Sequence, residues 1–131
     1  LSAEGVVLGL DFGTSRIGVA VGNTVTRTAR ELTTVAYRRR DAADSIAGIV
    51  AEWKPAALVV GHPLDRDGQA QRMSKKAEEF AGSLRERYGI ETTLIDERYS
   101  SSSARAEKGP AAGVDSRAAR IILEDWLARR S

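Results

Sequence analysis

The apolar periodicity changes character once along the chain, and that change limits the fold more than any other feature. Val6 to Phe12 is an apolar run closed by Gly13-Thr14, which reads as a buried strand. Arg16 to Val21 is a second strand, and the tight turn between the two predicts a hairpin. Leu32 to Tyr37 alternates and is rich in β-branched residues, predicting a third strand. Beyond it, helices and strands take turns. Asp41 to Trp53 carries Ile46, Ile49, Val50 and Trp53 at helical spacing and is stopped by Pro55. Ala57 to Gly61 is a short, fully apolar strand that ends at Pro63, and Asp67-Gly68 marks a turn. Ala70 to Tyr88 is a long amphipathic helix with Met73, Ala77, Phe80, Leu84 and Tyr88 on one face and Gly89 as its C-cap. Ile90 to Ile95 is the next strand. Ser100 to Ser103 cap a short helix running toward Glu107, and Lys108 to Val114 is a loop of Gly, Pro and Ala. Asp115 to Leu127 is the final helix, with Ala118, Ile121, Ile122 and Trp126 turned inward.

Consecutive strands joined by short turns pair antiparallel, whereas strands reached through a helical crossover lie parallel to the one before. The expected fold is therefore α/β: a mixed five-stranded sheet, three antiparallel strands followed by parallel strands, flanked by helices. The 131 residues hold no internal repeat or linker and form one domain, 1–131, large enough for a core without disulfides or a structural metal. No stretch approaches the roughly 20 consecutive apolar residues that span a bilayer. Leu1 to Gly5 lacks the basic, then apolar, pattern of a signal peptide. The expectation is a protein that does not use a membrane, and the lack of cysteine fits a cytoplasmic one.

Composition narrows the chemistry. Cysteine is absent, which excludes disulfides, thiolate catalysis and zinc–thiolate sites together. A single histidine, His62, excludes a His-rich metal centre, and any Ser-His-Asp triad would have to use it. The formal net charge is only +2, but the basic residues are locally concentrated. Arg38-Arg39-Arg40 form a run, and Arg66, Arg72, Lys75, Lys76, Arg98, Arg105 and Lys108 lie near the segments that carry chemistry. Such patches bind phosphates while acidic residues elsewhere hold the total near zero; the alternative for each is a solvated surface charge.

In an open α/β sheet, ligands collect at the carboxyl ends of the parallel strands. Three strand ends meet there, carrying Asp11, then His62-Pro63, then Asp96-Glu97. Asp11 stands in Gly-Leu-Asp-Phe-Gly, and a carboxylate among apolar neighbours is costly unless paired or bound to a cation. Its alternative role is to accept hydrogen bonds from turn amides at Gly13 and Thr14. Successive strand residues face opposite sides, so only one of Asp96 and Glu97 joins Asp11 readily; the alternative role of either is a pair with Arg98 or Arg16. Asp115 opens the last helix and is placed equally well as N-cap or as ligand. Three carboxylates at one edge form an oxygen-rich site suited to Mg²⁺ or Mn²⁺, two of which, roughly 3.5–4 Å apart, clamp an in-line phosphoryl displacement.

These residues resemble the YqgF/RuvX family. Gly9-Leu10-Asp11-Phe12-Gly13-Thr14-Ser15-Arg16-Ile17-Gly18-Val19-Ala20 is similar to the family's opening motif, and Val59-Val60-Gly61-His62-Pro63-Leu64 followed by Asp67-Gly68 to its second. Asp96-Glu97-Arg98-Tyr99-Ser100 resembles the third, and Val114-Asp115-Ser116-Arg117-Ala118-Ala119 with Ile122-Leu123 the last. Each motif is weak alone; the four in this order are specific. The resemblance implies an RNase H-like fold and a cytosolic metal-dependent nuclease with Asp11, Glu97 and Asp115 as both catalytic and metal-ligating residues. It puts Arg16 and Arg98 on the family's basic positions, and with Thr14 they form the expected substrate-binding set. The implied activity is processing of the 5′ end of precursor 16S rRNA, or alternatively resolution of Holliday junctions. The partner is nucleic acid, and the protein acts as a monomer or, as a resolvase making two symmetric cuts, a homodimer. Two departures stand out. His62 occupies a position that is more often apolar, and Gly113 stands where a basic residue is expected, after a short loop from Glu107.

Two other readings compete. Asp11-Phe12-Gly13-Thr14-Ser15 also resembles the phosphate loop of actin-like ATPases and sugar kinases, which need a second such domain that 131 residues cannot supply. A module that binds nucleic acid without cutting it would have no reason to hold three acids together against their mutual repulsion.

Overall fold

The computed structural model describes residues 5–12, 16–36, 42–63, 72–96 and 114–129. Its strands are β1 (Val6–Phe12), β2 (Arg16–Asn23), β3 (Thr28–Ala36), β4 (Ala57–His62) and β5 (Glu91–Asp96). Its helices are α1 (Ala42–Trp53), α2 (Arg72–Tyr88) and α3 (Val114–Arg129). They form one five-stranded sheet in the order β3-β2-β1-β4-β5. β1, β2 and β3 pair antiparallel, and β4 and β5 extend the sheet parallel to β1. This is the mixed sheet expected from the change of periodicity. The short helix expected after Ser100, the Asp67-Gly68 turn and the Arg38-Arg39-Arg40 run lie outside the described residues.

Strand alternation divides the core in two. Leu8 and Leu10 of β1, Ile17, Val19 and Val21 of β2, and Leu58 and Val60 of β4 pack against Ile46 of α1 and Ala77, Ala81 and Leu84 of α2. On the other face Val7, Ala20, Val59 and Ile95 pack against Ala119, Ile122, Leu123, Trp126 and Leu127 of α3. β1, β2 and β4 are thus buried on both sides, which is why their sequences read as continuous apolar runs.

β3 starts at Thr28, four residues before the expected Leu32. Its first half, Thr28 to Glu31, pairs with β2 from Ala20 to Asn23, but it forms the sheet's edge and carries polar side chains. The register shifts at Val19/Ala20: Val19 faces Thr33 while Ala20 faces Glu31, leaving Leu32 as the extra residue of a bulge. The bulge breaks the period-2 pattern, and alternation becomes readable only beyond it. The hairpin turn is closed by Asn23, whose Oδ1 accepts the Val25 amide at 2.8 Å.

Both described crossover helices end in left-handed caps. Gly89 (φ 65°) donates its amide to Arg85 O at 2.9 Å, as expected of a C-cap glycine. Lys54 (φ 46°) does the same to Val50 O at 2.8 Å, just before Pro55. A side chain in this region costs roughly 1–2 kcal/mol that glycine does not incur. Lys54→Gly is therefore expected to stabilise the protein by about 1 kcal/mol, raising the thermal midpoint by about 3–5 °C; an unchanged or lowered midpoint in a circular-dichroism melt counts against it. Among the described residues no helix is long and apolar enough to cross a membrane.

Candidate active site

β1 carries Asp11 to the carboxyl end of the sheet's middle strand. By alternation Asp11 shares the α3 face with Val7 and Gly9, and it is half-buried there. Its partner across the ladder is Gly18, which puts no side chain beside it.

The position of α3 relative to Asp11 follows from two glycines. A Cβ at Gly9 would lie 2.9 Å from Ala119 O and 3.0 Å from Leu123 Cβ, and one at Gly22 would lie 3.0 Å from Leu123 Cδ2. Gly22 is level with Val7, so moving up β1 from Val7 to Gly9 moves along α3 from Leu123 toward Ala119. One further step on this face, two strand residues or about 6.6 Å, leads to Asp11. The matching step on the helix, four residues or about 6 Å, leads to Asp115. The sheet and helix spacings agree, so the first turn of α3 sits level with the carboxyl end of β1. The helix begins at Val114, which puts Asp115 in its first turn.

Arg16 opens β2 opposite Ala36, one step beyond the Asp11–Gly18 rung and on the same face. Asp96 lies on the opposite face. It pairs in register with His62 at the end of β4, and both share the side of Val60 and Leu94, which pack toward α1 and α2. Strand alternation lets only one of Asp96 and Glu97 join Asp11, and Asp96 faces away from it. The role of His62 is also clear: its Nε2 and Glu78 Oε2 on α2 are 2.7 Å apart, tying β4 to α2 on the face away from Asp11. On the same helix the buried Ser74 hydroxyl donates to Pro63 O, a second tie at this strand end.

On the α3 face, sequence reasoning passed over Glu31. The bulge turns it toward α3, where its Oε1 accepts from Ser116 Oγ at 3.4 Å and its Oε2 lies 3.8 Å from Arg120 Nε. No local pattern reveals this contact, because its partners are 85 residues or more away in sequence. Thr14, Glu97 and Arg98 lie outside the described residues, as does the side chain of Asp115. Among the described residues no three acidic or histidine side chains gather closely enough to hold an ion.

The family profile described as RuvX, Holliday junction resolvase, matches residues 5–129. The chain belongs to the RuvX family. A RuvX relative from Burkholderia mallei bearing the name "Putative pre-16S rRNA nuclease" is 46% identical over 132 residues, which cover 97% of this chain and 90% of that one. One of the same name from Paraburkholderia xenovorans is 44% identical over 129 residues, covering 95% and 88%. Among solved structures, Thermus thermophilus RuvC in complex with a Holliday junction substrate aligns with a TM-score of 0.61 at 16% identity, covering 95% of this chain and 94% of that one. That likeness establishes the RuvC-type, RNase H-like fold of the RuvX sheet.

Proposed function

We propose that this RuvX chain is a metal-dependent endonuclease that trims the 5′ end of precursor 16S rRNA. The observation that carries the reading is the half-buried Asp11 at the carboxyl end of the central strand, level with the first turn of α3 that bears Asp115. The name shared by relatives 44–46% identical over nearly the whole chain favours the rRNA substrate. The likeness to RuvC, at 16% identity, speaks for the fold alone.

Asp11, Glu97 and Asp115 are the proposed ligands, an all-oxygen set that suits Mg²⁺ or Mn²⁺. Asp11 fits this role as a half-buried carboxylate at the carboxyl end of the central strand, on the face that α3 covers. Asp96 faces the α2 side, so of the two acids the sequence offers to join Asp11, Glu97 is the one proposed. When bound, one or two such ions supply a water acidified toward hydroxide and charge neutralisation at the departing 3′ oxygen. The chain's own residues fix the substrate. Arg16, on the same face one step beyond Asp11, binds a phosphate oxygen, and Arg98 and Thr14 complete the contacts to the backbone. The nuclease unit spans residues 1–131 and works in the cytoplasm, where precursor rRNA is processed.

The test is a cleavage assay with Mn²⁺ or Mg²⁺ on RNA carrying a precursor 5′ extension, run beside a four-way DNA junction. Cleavage of the RNA, abolished by chelation and restored by Mn²⁺, is the expected outcome. Paired symmetric cuts in the junction with intact RNA would replace this reading with a dimeric resolvase. Binding of both without cleavage would leave a module that holds nucleic acid and does not cut it.

A further inference from the structure

Glu31 stands outside the motifs that carry the proposed chemistry, yet its carboxylate links the edge strand to α3. Its carboxylate reaches two α3 residues one helical turn apart: Ser116, directly after Asp115, and Arg120. Ser116 is buried, at 6% exposure. The Arg120 Nε is buried as well and makes no hydrogen bond among the described residues, so the Glu31 carboxylate at 3.8 Å is its charge partner there. The Leu32 bulge gives Glu31 this reach by turning it to the α3 face.

We infer that Glu31 is a positioning residue: through Ser116 and Arg120 it holds the first turn of α3, and so Asp115, level with Asp11. The inference rests on the metal-nuclease reading above and deepens it. Glu31 itself touches neither ion nor substrate. The close approach of α3 at Gly9 fixes the helix's distance from the sheet at Ala119 and Leu123. β3 reaches the preceding turn from the side, through the Glu31 carboxylate and the Ser116 hydroxyl. Side chains that orient a metal ligand from behind commonly alter metal affinity without contacting the metal.

Glu31 could instead strengthen cation binding only by adding negative charge nearby, and Arg120 separates the two cases. If charge alone mattered, Arg120→Ala would remove a cation and tighten metal binding. If the pair positions the helix, Arg120→Ala weakens it, as Glu31→Ala does. The experiment measures Mn²⁺ affinity by electron paramagnetic resonance of the free ion, without nucleic acid, on the full chain and on Asp11→Asn, Glu31→Ala, Glu31→Gln, Arg120→Ala and the Glu31→Ala/Arg120→Ala double variant. Circular-dichroism melts confirm that each is folded. The expected result is a loss of about three- to tenfold for Glu31→Ala and for Arg120→Ala, with no further loss in the double variant. Glu31→Gln, which keeps an acceptor for Ser116, recovers part of the affinity. Mn²⁺ affinity that is unchanged in Glu31→Ala, or raised in Arg120→Ala, overturns the inference while the Asp11→Asn result leaves the metal reading standing. Absence of Mn²⁺ binding by the unsubstituted chain overturns both.

Discussion

Asp11→Asn is expected to lower metal-dependent cleavage by about a thousandfold or more while the protein stays folded. The change removes a charge and almost no volume, so the sheet and its two core layers remain as they are. Loss of a metal ligand removes several kcal/mol of transition-state stabilisation, and about 4 kcal/mol corresponds to a thousandfold in rate. Linkage supplies a second readout: an ion that binds only the native state raises its stability by roughly 2.7 kcal/mol at a hundredfold excess over Kd. Saturating Mn²⁺ should therefore raise the thermal midpoint of the unsubstituted protein by several degrees and leave that of Asp11→Asn where it is. An aspartate that merely accepted hydrogen bonds from turn amides would behave differently, because asparagine keeps a carbonyl acceptor. A folded Asp11→Asn protein that cleaves normally would return Asp11 to that role and withdraw the assigned mechanism.

What the sequence discloses follows burial. β1, β2 and β4 are covered on both faces, so their apolar runs are unmistakable; strand period shows that only one of Asp96 and Glu97 joins Asp11, and the β4–β5 register turns Asp96 away. The first half of β3 escapes notice because Thr28 to Glu31 lies at the sheet edge and carries no apolar pattern, and the bulge at Leu32 then resets the alternation. The rotation of α3 is also hidden. Ile121, Ile122 and Leu123 follow one another, so periodicity does not choose among them. Ile121, expected to face inward, is only half-buried, while Leu123 is fully buried because Gly9 and Gly22 admit it to the sheet. His62 is ambiguous in sequence because its partner, Glu78, lies a helix away. Glu31 is invisible for the same reason at greater range. Contacts that depend on how a distant helix lies across the sheet leave no local periodic trace.

Gly9→Ala is the single-methyl test of that helix placement. The added Cβ would meet the Ala119 carbonyl oxygen at 2.9 Å, and a backbone oxygen inside a helix cannot swing aside as the end of a long side chain can. α3 must move as a body, and overpacking of this kind costs about 1–3 kcal/mol. Gly48→Ala is the contrasting case. Gly48 is exposed in the middle of α1 with nothing within 4 Å of a Cβ, so alanine there should stabilise by about 1 kcal/mol through helix propensity. The consequence for activity separates Gly9→Ala from ordinary destabilisation. At a temperature where both proteins are fully folded, a helix pushed outward carries Asp115 away from Asp11, and misplacement by about 1 Å costs up to a hundredfold in rate. Cleavage by folded Gly9→Ala should therefore fall by about tenfold or more, with a matching loss of Mn²⁺ affinity, while Gly48→Ala cleaves normally. If Gly9→Ala loses stability but keeps full activity, the first turn of α3 is not part of the working geometry. Asp115 would then revert to a residue that only favours the start of its helix.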